Sequence, residues 1–116
     1  MRYMLLIYDL ESAWESMPEA ERNALFGEYM AFTESIRKSG HLLAGDPLEP
    51  TATATTLRVR GGKAVTSDGP FAETREQLGG YYIVEARDLD EALGLAARVP
   101  SARIGCVEVR PIAEMG

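Results

Sequence analysis

Apolar residues run almost unbroken from Tyr3 to Tyr8, and a run that short reads as a strand buried on both faces. The period then changes. Leu25, Tyr29, Phe32 and Ile36 recur at steps of four, three and four, the spacing of one helical face. Ser16-Met17-Pro18-Glu19 predicts the start of that helix, with Ser16 as cap, Pro18 in the first turn and Glu19 at the positive end. Lys38 and Gly40 predict its end. His41 to Ala44 reads as a short strand and Gly45 to Pro50 as a loop. From Thr55 to Arg60, Leu57 and Val59 alternate with Arg58 and Arg60, a half-buried strand. Gly61-Gly62 marks a two-residue hairpin turn, and Lys63 to Thr66 returns. Gly80 to Ala86 predicts another strand. Asp88 and Glu91, at capping-box spacing, open a second helix whose buried face is Leu89, Leu93, Ala96 and Val99, stopped by Pro100. Gly105 to Pro111 closes the chain as a strand, with Val107 and Val109 on one side and Cys106, Glu108 and Arg110 on the other.

This order, β-α-β-(hairpin)-β-α-β, predicts one α+β domain over residues 1–116. The expected architecture is a ferredoxin-like sandwich with two helices on one face of an antiparallel sheet. Two helices cover only one face, yet Tyr3, Leu5 and Ile7 point one way while Met4, Leu6 and Tyr8 point the other. Burying each large apolar side chain contributes roughly 1.5–3 kcal/mol, so both sets need cover. A homodimer, sheet against sheet, is the expectation. The alternative is a monomer whose Gly45-to-Ala54 segment folds over the open face.

Composition narrows the function classes. The formal charge of -6 argues against direct binding of nucleic acid, which calls for a basic surface. Cys106 is the one cysteine, so no internal disulfide and no Cys-rich metal site is expected, and a reducing cytoplasm fits. The apolar N-terminal run is too short for a membrane span, and no membrane association, metal or cofactor is expected.

Candidate chemistry centres on three residues. His41, the one histidine, is the side-chain type best suited to act as a general base at neutral pH. Asp46, close in sequence, is its expected orienting partner. Asp68 sits in Asp68-Gly69-Pro70-Phe71, a strong turn sequence that either rigidly anchors Phe71 or presents Asp68 and Glu73 at the mouth of a site. Arg75 is a candidate for an anionic ligand group. Glu108 and Arg110 read as a polar pocket floor or a structural ion pair, and Tyr29 as a hydrogen-bond donor or an amphipathic core residue.

The phrase Asp68-Gly69-Pro70-Phe71-Ala72-Glu73-Thr74-Arg75-Glu76 resembles the DGPF-type branch of the YCII-related proteins. Gly40 to Leu48, Leu78 to Ala86 and Val107 to Ile112 resemble that branch as well, so the likeness spans nearly the whole chain. The resemblance implies a dimeric α+β barrel. It also implies acid–base chemistry: many members carry a histidine and an aspartate, and one relative type is a dehydrochlorinase of a chlorinated hydroquinone. Their histidine lies on the first helix, about three turns before its closing glycine, a position matched here by Tyr29. Branch members also occur beside, or fused to, sigma-70-type transcription factors. Three functions are therefore expected as alternatives: a dimer that binds and transforms a small molecule, with His41 as base and Asp46 or Asp68 as its partner; a non-catalytic sensory domain with a sigma-factor partner; and a structural dimerisation module.

Overall fold

In a computed structural model describing residues 1–115, β1 (Arg2–Asp9) alternates strictly between fully and half-buried side chains. Tyr3, Leu5, Ile7 and Asp9 are buried; Met4, Leu6 and Tyr8 are half-buried. The chain then makes a short helix, α1 (Glu11–Ser16), before the long α2 (Glu19–Lys38). Ser16 therefore does not cap the long helix as expected; it ends α1, its Oγ donating to the carbonyl of Ser12 at 2.8 Å. Pro18 occupies the cap position of α2 with no side-chain cap, in keeping with the tolerance of proline where the backbone N–H has no partner. Leu25, Phe32 and Ile36 are buried as the spacing requires, and Tyr29 packs partly buried against them.

Four strands make the main sheet: β1, β2 (Leu42–Pro47), β5 (Gln77–Glu85) and β6 (Cys106–Pro111), in the order β2-β5-β1-β6 with every pair antiparallel. This is the ferredoxin-like order. Between β2 and β5 the chain builds a separate two-stranded hairpin, β3 (Thr55–Arg60) and β4 (Lys63–Asp68). Its turn is Gly61-Gly62, both at positive φ (58° and 77°), a backbone that glycine adopts without penalty. β2 runs on through Pro47, where a loop is expected, because Gly45, Asp46 and Pro47 pair with Tyr82, Tyr81 and Gly80 and an edge strand tolerates proline.

The core joins Tyr3, Leu5 and Ile7 to Tyr82 and Val84 and to both long helices. Phe32 meets Tyr82 edge to face at 5.3 Å between ring centroids. In α3 (Leu89–Ala96) the buried residues are Ala92, Leu95 and Ala96, with Val99 beyond; Ala96 and Val99 face the core as expected, whereas Leu89 and Leu93, expected beside them, are exposed. Ala92 and Leu95 turn inward in place of Leu89 and Leu93, so the buried side of this short helix is rotated from the expected one. Asp88 caps α3, its Oδ1 accepting from the Glu91 N–H at 2.9 Å. A 3₁₀ turn at Pro100–Arg103 then brings Ser101, fully buried, beneath the sheet.

Both long helices lie on the Tyr3 face. The result is a plate 48 by 47 by 19 Å, two layers deep. The opposite face presents Met4, Leu6, Tyr8, Tyr81 and Ile83, bordered on β6 by Glu108 and Arg110.

Candidate functional site

Asp9 ends β1 on the helix-covered face and is 6 % exposed. Two features fix it there. A bulge shifts the β1–β5 register between Ile7 and Tyr8, the kind of irregularity that re-aims a side chain at a strand end. On the other flank, Gly105 lets the start of β6 pass so close that a Cβ would stand 2.0 Å from the Tyr8 carbonyl oxygen and 2.9 Å from the Asp9 Cβ.

The buried carboxylate is satisfied by side chains from far along the chain. Trp14 of α1 donates its indole N–H to Asp9 Oδ2 at 2.8 Å, and Ser101 Oγ donates to the same oxygen at 3.0 Å. The Tyr29 hydroxyl of α2 in turn donates to Ser101 Oγ. A continuous chain thus runs Tyr29–Ser101–Asp9, with the Trp14 and Tyr29 rings 6.5 Å apart above it. Burial pushes the Tyr29 phenol above its ordinary pKa, an effect opposed by the bond to Ser101 and reinforced by the Asp9 charge, so Tyr29 is protonated at neutral pH. Beside it, Tyr82 hydrogen-bonds Thr33 at 2.7 Å, and burial raises that phenol too.

These groups open into a cleft of about 830 Å³ between α2, α1 and the β2 edge. Ile7, Phe26, Met30, Pro47 and Tyr82 give it a mainly apolar wall. That volume, apolar within and ringed by carboxylates, is the form of a small-molecule site. Glu11 closes one end, accepting from the Thr51 N–H at 2.7 Å and its hydroxyl at 2.9 Å.

The expected site residues are distributed otherwise. Tyr29 lines the cleft, and Asp46 reaches its rim, where it accepts from the Tyr81 hydroxyl at 2.9 Å. His41 contacts Ser39 (Nδ1, 2.7 Å) and Glu91 (Nε2, 3.2 Å), in a small recess near the N-terminus. Five residues of extended strand, roughly 17 Å, separate His41 from Asp46, so the two do not meet within one chain. Asp68, Glu73 and Arg75 are exposed on or after the hairpin, and Phe71, 74 % exposed, lies under the Arg58 guanidinium at 5.1 Å rather than in the core of its own chain. Glu108 and Arg110 form an exposed pair at 4.0 Å on the open sheet face. Cys106 is an exposed thiol whose pKa is raised by partial desolvation and by the charges of Glu76 and Glu108.

Asp9, Trp14 and Ser101 were not among the expected site residues. A carboxylate ending an otherwise apolar strand, and the chain's one tryptophan between that strand and the predicted helix, are the two sequence signals that mark the place.

The sequence model of the YCII-related domain matches residues 1–116. An uncharacterized protein of Rhizobium meliloti is 37 % identical over 115 residues, spanning 97 % of this chain and 93 % of that one. Among solved structures, 5-chloro-2-hydroxyhydroquinone dehydrochlorinase from Burkholderia phenoliruptrix, in complex with 2,5-dihydroxybenzoquinone, superimposes with a TM-score of 0.57 at 16 % identity, covering 99 % of this chain and 96 % of that one. The likeness to that enzyme is one of fold.

Proposed function

The chain belongs to the YCII-related family, and from that premise we propose that it is a dimer that binds a small, largely apolar molecule in the Tyr29 cleft and transforms it by acid–base chemistry. The observation that carries this reading is the Tyr29–Ser101–Asp9 chain at the floor of an apolar cleft. By the family resemblance, Tyr29 matches the position of the histidine that many members carry. A high phenol pKa makes it a poor base by itself, but its oxygen can receive a proton while its own proton passes to Ser101 and that of Ser101 to Asp9. The ligand ends deprotonated and Asp9 protonated, with no charged phenolate on the way. Isomerisation and elimination both begin with such a proton removal, and the fold neighbour is by name a dehydrochlorinase.

This reading moves the acid–base role from His41 and Asp68 to Asp9, and leaves Asp46 at the rim. The dimer is supported by the sheet face that neither helix covers, and its centre of Met4, Leu6, Tyr81 and Ile83 suits a facing sheet. A second reading, a non-catalytic accessory domain with a sigma-70-type partner, has the exposed apolar residues of the hairpin in its favour and makes no use of Tyr29.

Trp14 lines the cleft and is the one tryptophan, so its fluorescence reports occupancy. Titration with 2,5-dihydroxybenzoquinone and with neutral dihydroxybenzenes is expected to shift or quench it, more weakly in Tyr29→Phe. A signal that no such ligand changes, together with monomer alone in native mass spectrometry, would sink the reading.

A further inference from the structure

The β3–β4 hairpin stands apart from the main sheet and without cover. Leu57, Val59, Val65 and Phe71 are 60 %, 59 %, 52 % and 74 % exposed. A lone two-stranded hairpin is marginal in water, and a well-formed one needs a surface to lie on. Its faces differ. Cross-strand pairing places Leu57 and Val59 with Ala64 and Thr66 on one face, and Arg58, Arg60 and Lys63 with Val65 on the other. Among the described residues none of these three cations forms an ion pair, and Arg60 donates only to its neighbour's carbonyl.

The cleft has the opposite character. Asp9, Glu11, Glu15, Glu34, Asp46 and Glu49 line it against a single cation, Arg37, which is paired to Glu34. Glu15 and Glu49 have no partner among the described residues. An acidic mouth and a basic arm therefore coexist in one chain, each unmatched. The arm is rooted at the mouth of its own cleft, where Thr51 is tied to Glu11, and it does not fold back over it.

We propose that the β3–β4 hairpin is an arm that crosses to a second copy of the chain and lays its basic face over that copy's cleft, so that each site is closed by the neighbouring subunit. The inference rests on the dimer of the proposed function. Six-residue strands give the arm a reach of about 20 Å, which spans the roughly 10 Å between face-packed sheets and passes the partner's β2 edge, beside which its cleft opens. Arg58, backed by the Phe71 ring, meets the acidic rim, and Val65, on the same face, gains cover in the same movement. In an acidic protein this basic patch matches the chain's own cleft, which favours a second copy over an unrelated partner.

Two single-cysteine proteins test it, both in a Cys106→Ser background: one carrying Arg60→Cys, the other Glu49→Cys. Mixed and mildly oxidised, they are expected to give a disulfide-linked heterodimer in high yield. Arg58→Glu with Arg60→Glu is expected to weaken the dimer about tenfold at low salt in sedimentation equilibrium, and to weaken quenching of Trp14 by 2,5-dihydroxybenzoquinone. Adding Glu15→Lys and Glu49→Lys to that protein should restore dimerisation. A wild type that sediments as a monomer overturns both the arm and the dimer. A dimer that neither cross-links nor responds to charge reversal overturns the arm alone and leaves the hairpin to an unrelated partner.

Discussion

Tyr29 and Asp9 are joined through Ser101, which accepts from the phenol and donates to the carboxylate at 3.0 Å. The serine comes from a 3₁₀ turn 92 residues beyond Asp9 in sequence and is fully buried. Removing its hydroxyl leaves the Tyr29 proton and one bond of Asp9 without a partner. Ser101→Ala is expected to lose about 1–3 kcal/mol in urea unfolding. Tyr29→Phe alone is expected to lose about 1 kcal/mol, and the double variant less than the sum, because the two side chains share one bond. Additive losses would show that the chain is not a coupled unit.

Alkaline titration addresses the same phenol. Burial holds the Tyr29 proton in the folded protein beyond the pH at which an unfolded tyrosine releases it, and Tyr82 behaves alike. Above the ordinary tyrosine pKa the unfolded chain therefore binds fewer protons than the native one. Stability contributed by Tyr29 is complete below that pKa and is lost as pH rises through the folded value. Tyr29→Phe is expected to remove one late-titrating tyrosine from the ultraviolet difference spectrum and to flatten the alkaline limb of the stability curve. A spectrum identical to wild type would contradict the assigned burial.

Gly105 guards the position of Asp9. A Cβ there would lie 2.0 Å from the Tyr8 carbonyl oxygen, where backbone rather than a mobile side chain must give way. Gly105→Ala is expected to cost about 3 kcal/mol or more in stability, by strain between β1 and β6. Gly27, with open space around it, serves as the control: Gly27→Ala in the middle of α2 should stabilise by roughly 0.5–1 kcal/mol.

Glu11 anchors the mouth of the cleft. It ties α1 to the turn that precedes β3 through two bonds from Thr51, while its own backbone N–H donates to Gln77 at 3.1 Å. In Glu11→Ala, amide exchange is expected to quicken at Thr51 and in the turn after it, and to remain slow in the core strand pair β1–β5. Uniformly faster exchange would mean global destabilisation instead.

The periodicity of α2, the Gly61-Gly62 turn and the alternation of β6 were all legible, because each is a local pattern that a single element must satisfy. Legibility failed where the deciding contact is distant. Nothing near Asp9 announces Ser101 or Tyr29; they converge only when the 3₁₀ turn after α3 places Ser101 under the sheet. His41 and Asp46 read as natural partners because they are near in sequence, yet an extended strand carries them apart. The Asp68 turn was the most conspicuous phrase in the chain, and it lies in the hairpin, whose surroundings within one chain are solvent.

A last prediction concerns the acid side. The Glu91 carboxylate accepts from the Arg87 backbone N–H at 3.1 Å, pairs with the Arg87 guanidinium at 2.9 Å and meets His41 Nε2 at 3.2 Å. The backbone bond, followed by the charges of Arg87 and the contact with His41, holds its pKa below the ordinary carboxylate value despite an opposing desolvation effect. A depressed folded-state pKa contributes stability above the unfolded value that disappears as pH falls through the folded one. Glu91→Gln is therefore expected to reduce stability at neutral pH and to converge with the wild type in strong acid. His41→Gln should leave that acid limb largely in place, since His41 is a smaller cause than the Arg87 backbone. If His41→Gln abolishes cleft binding while Glu91→Gln does not, the histidine acts on the ligand itself, and the acid–base role returns to it.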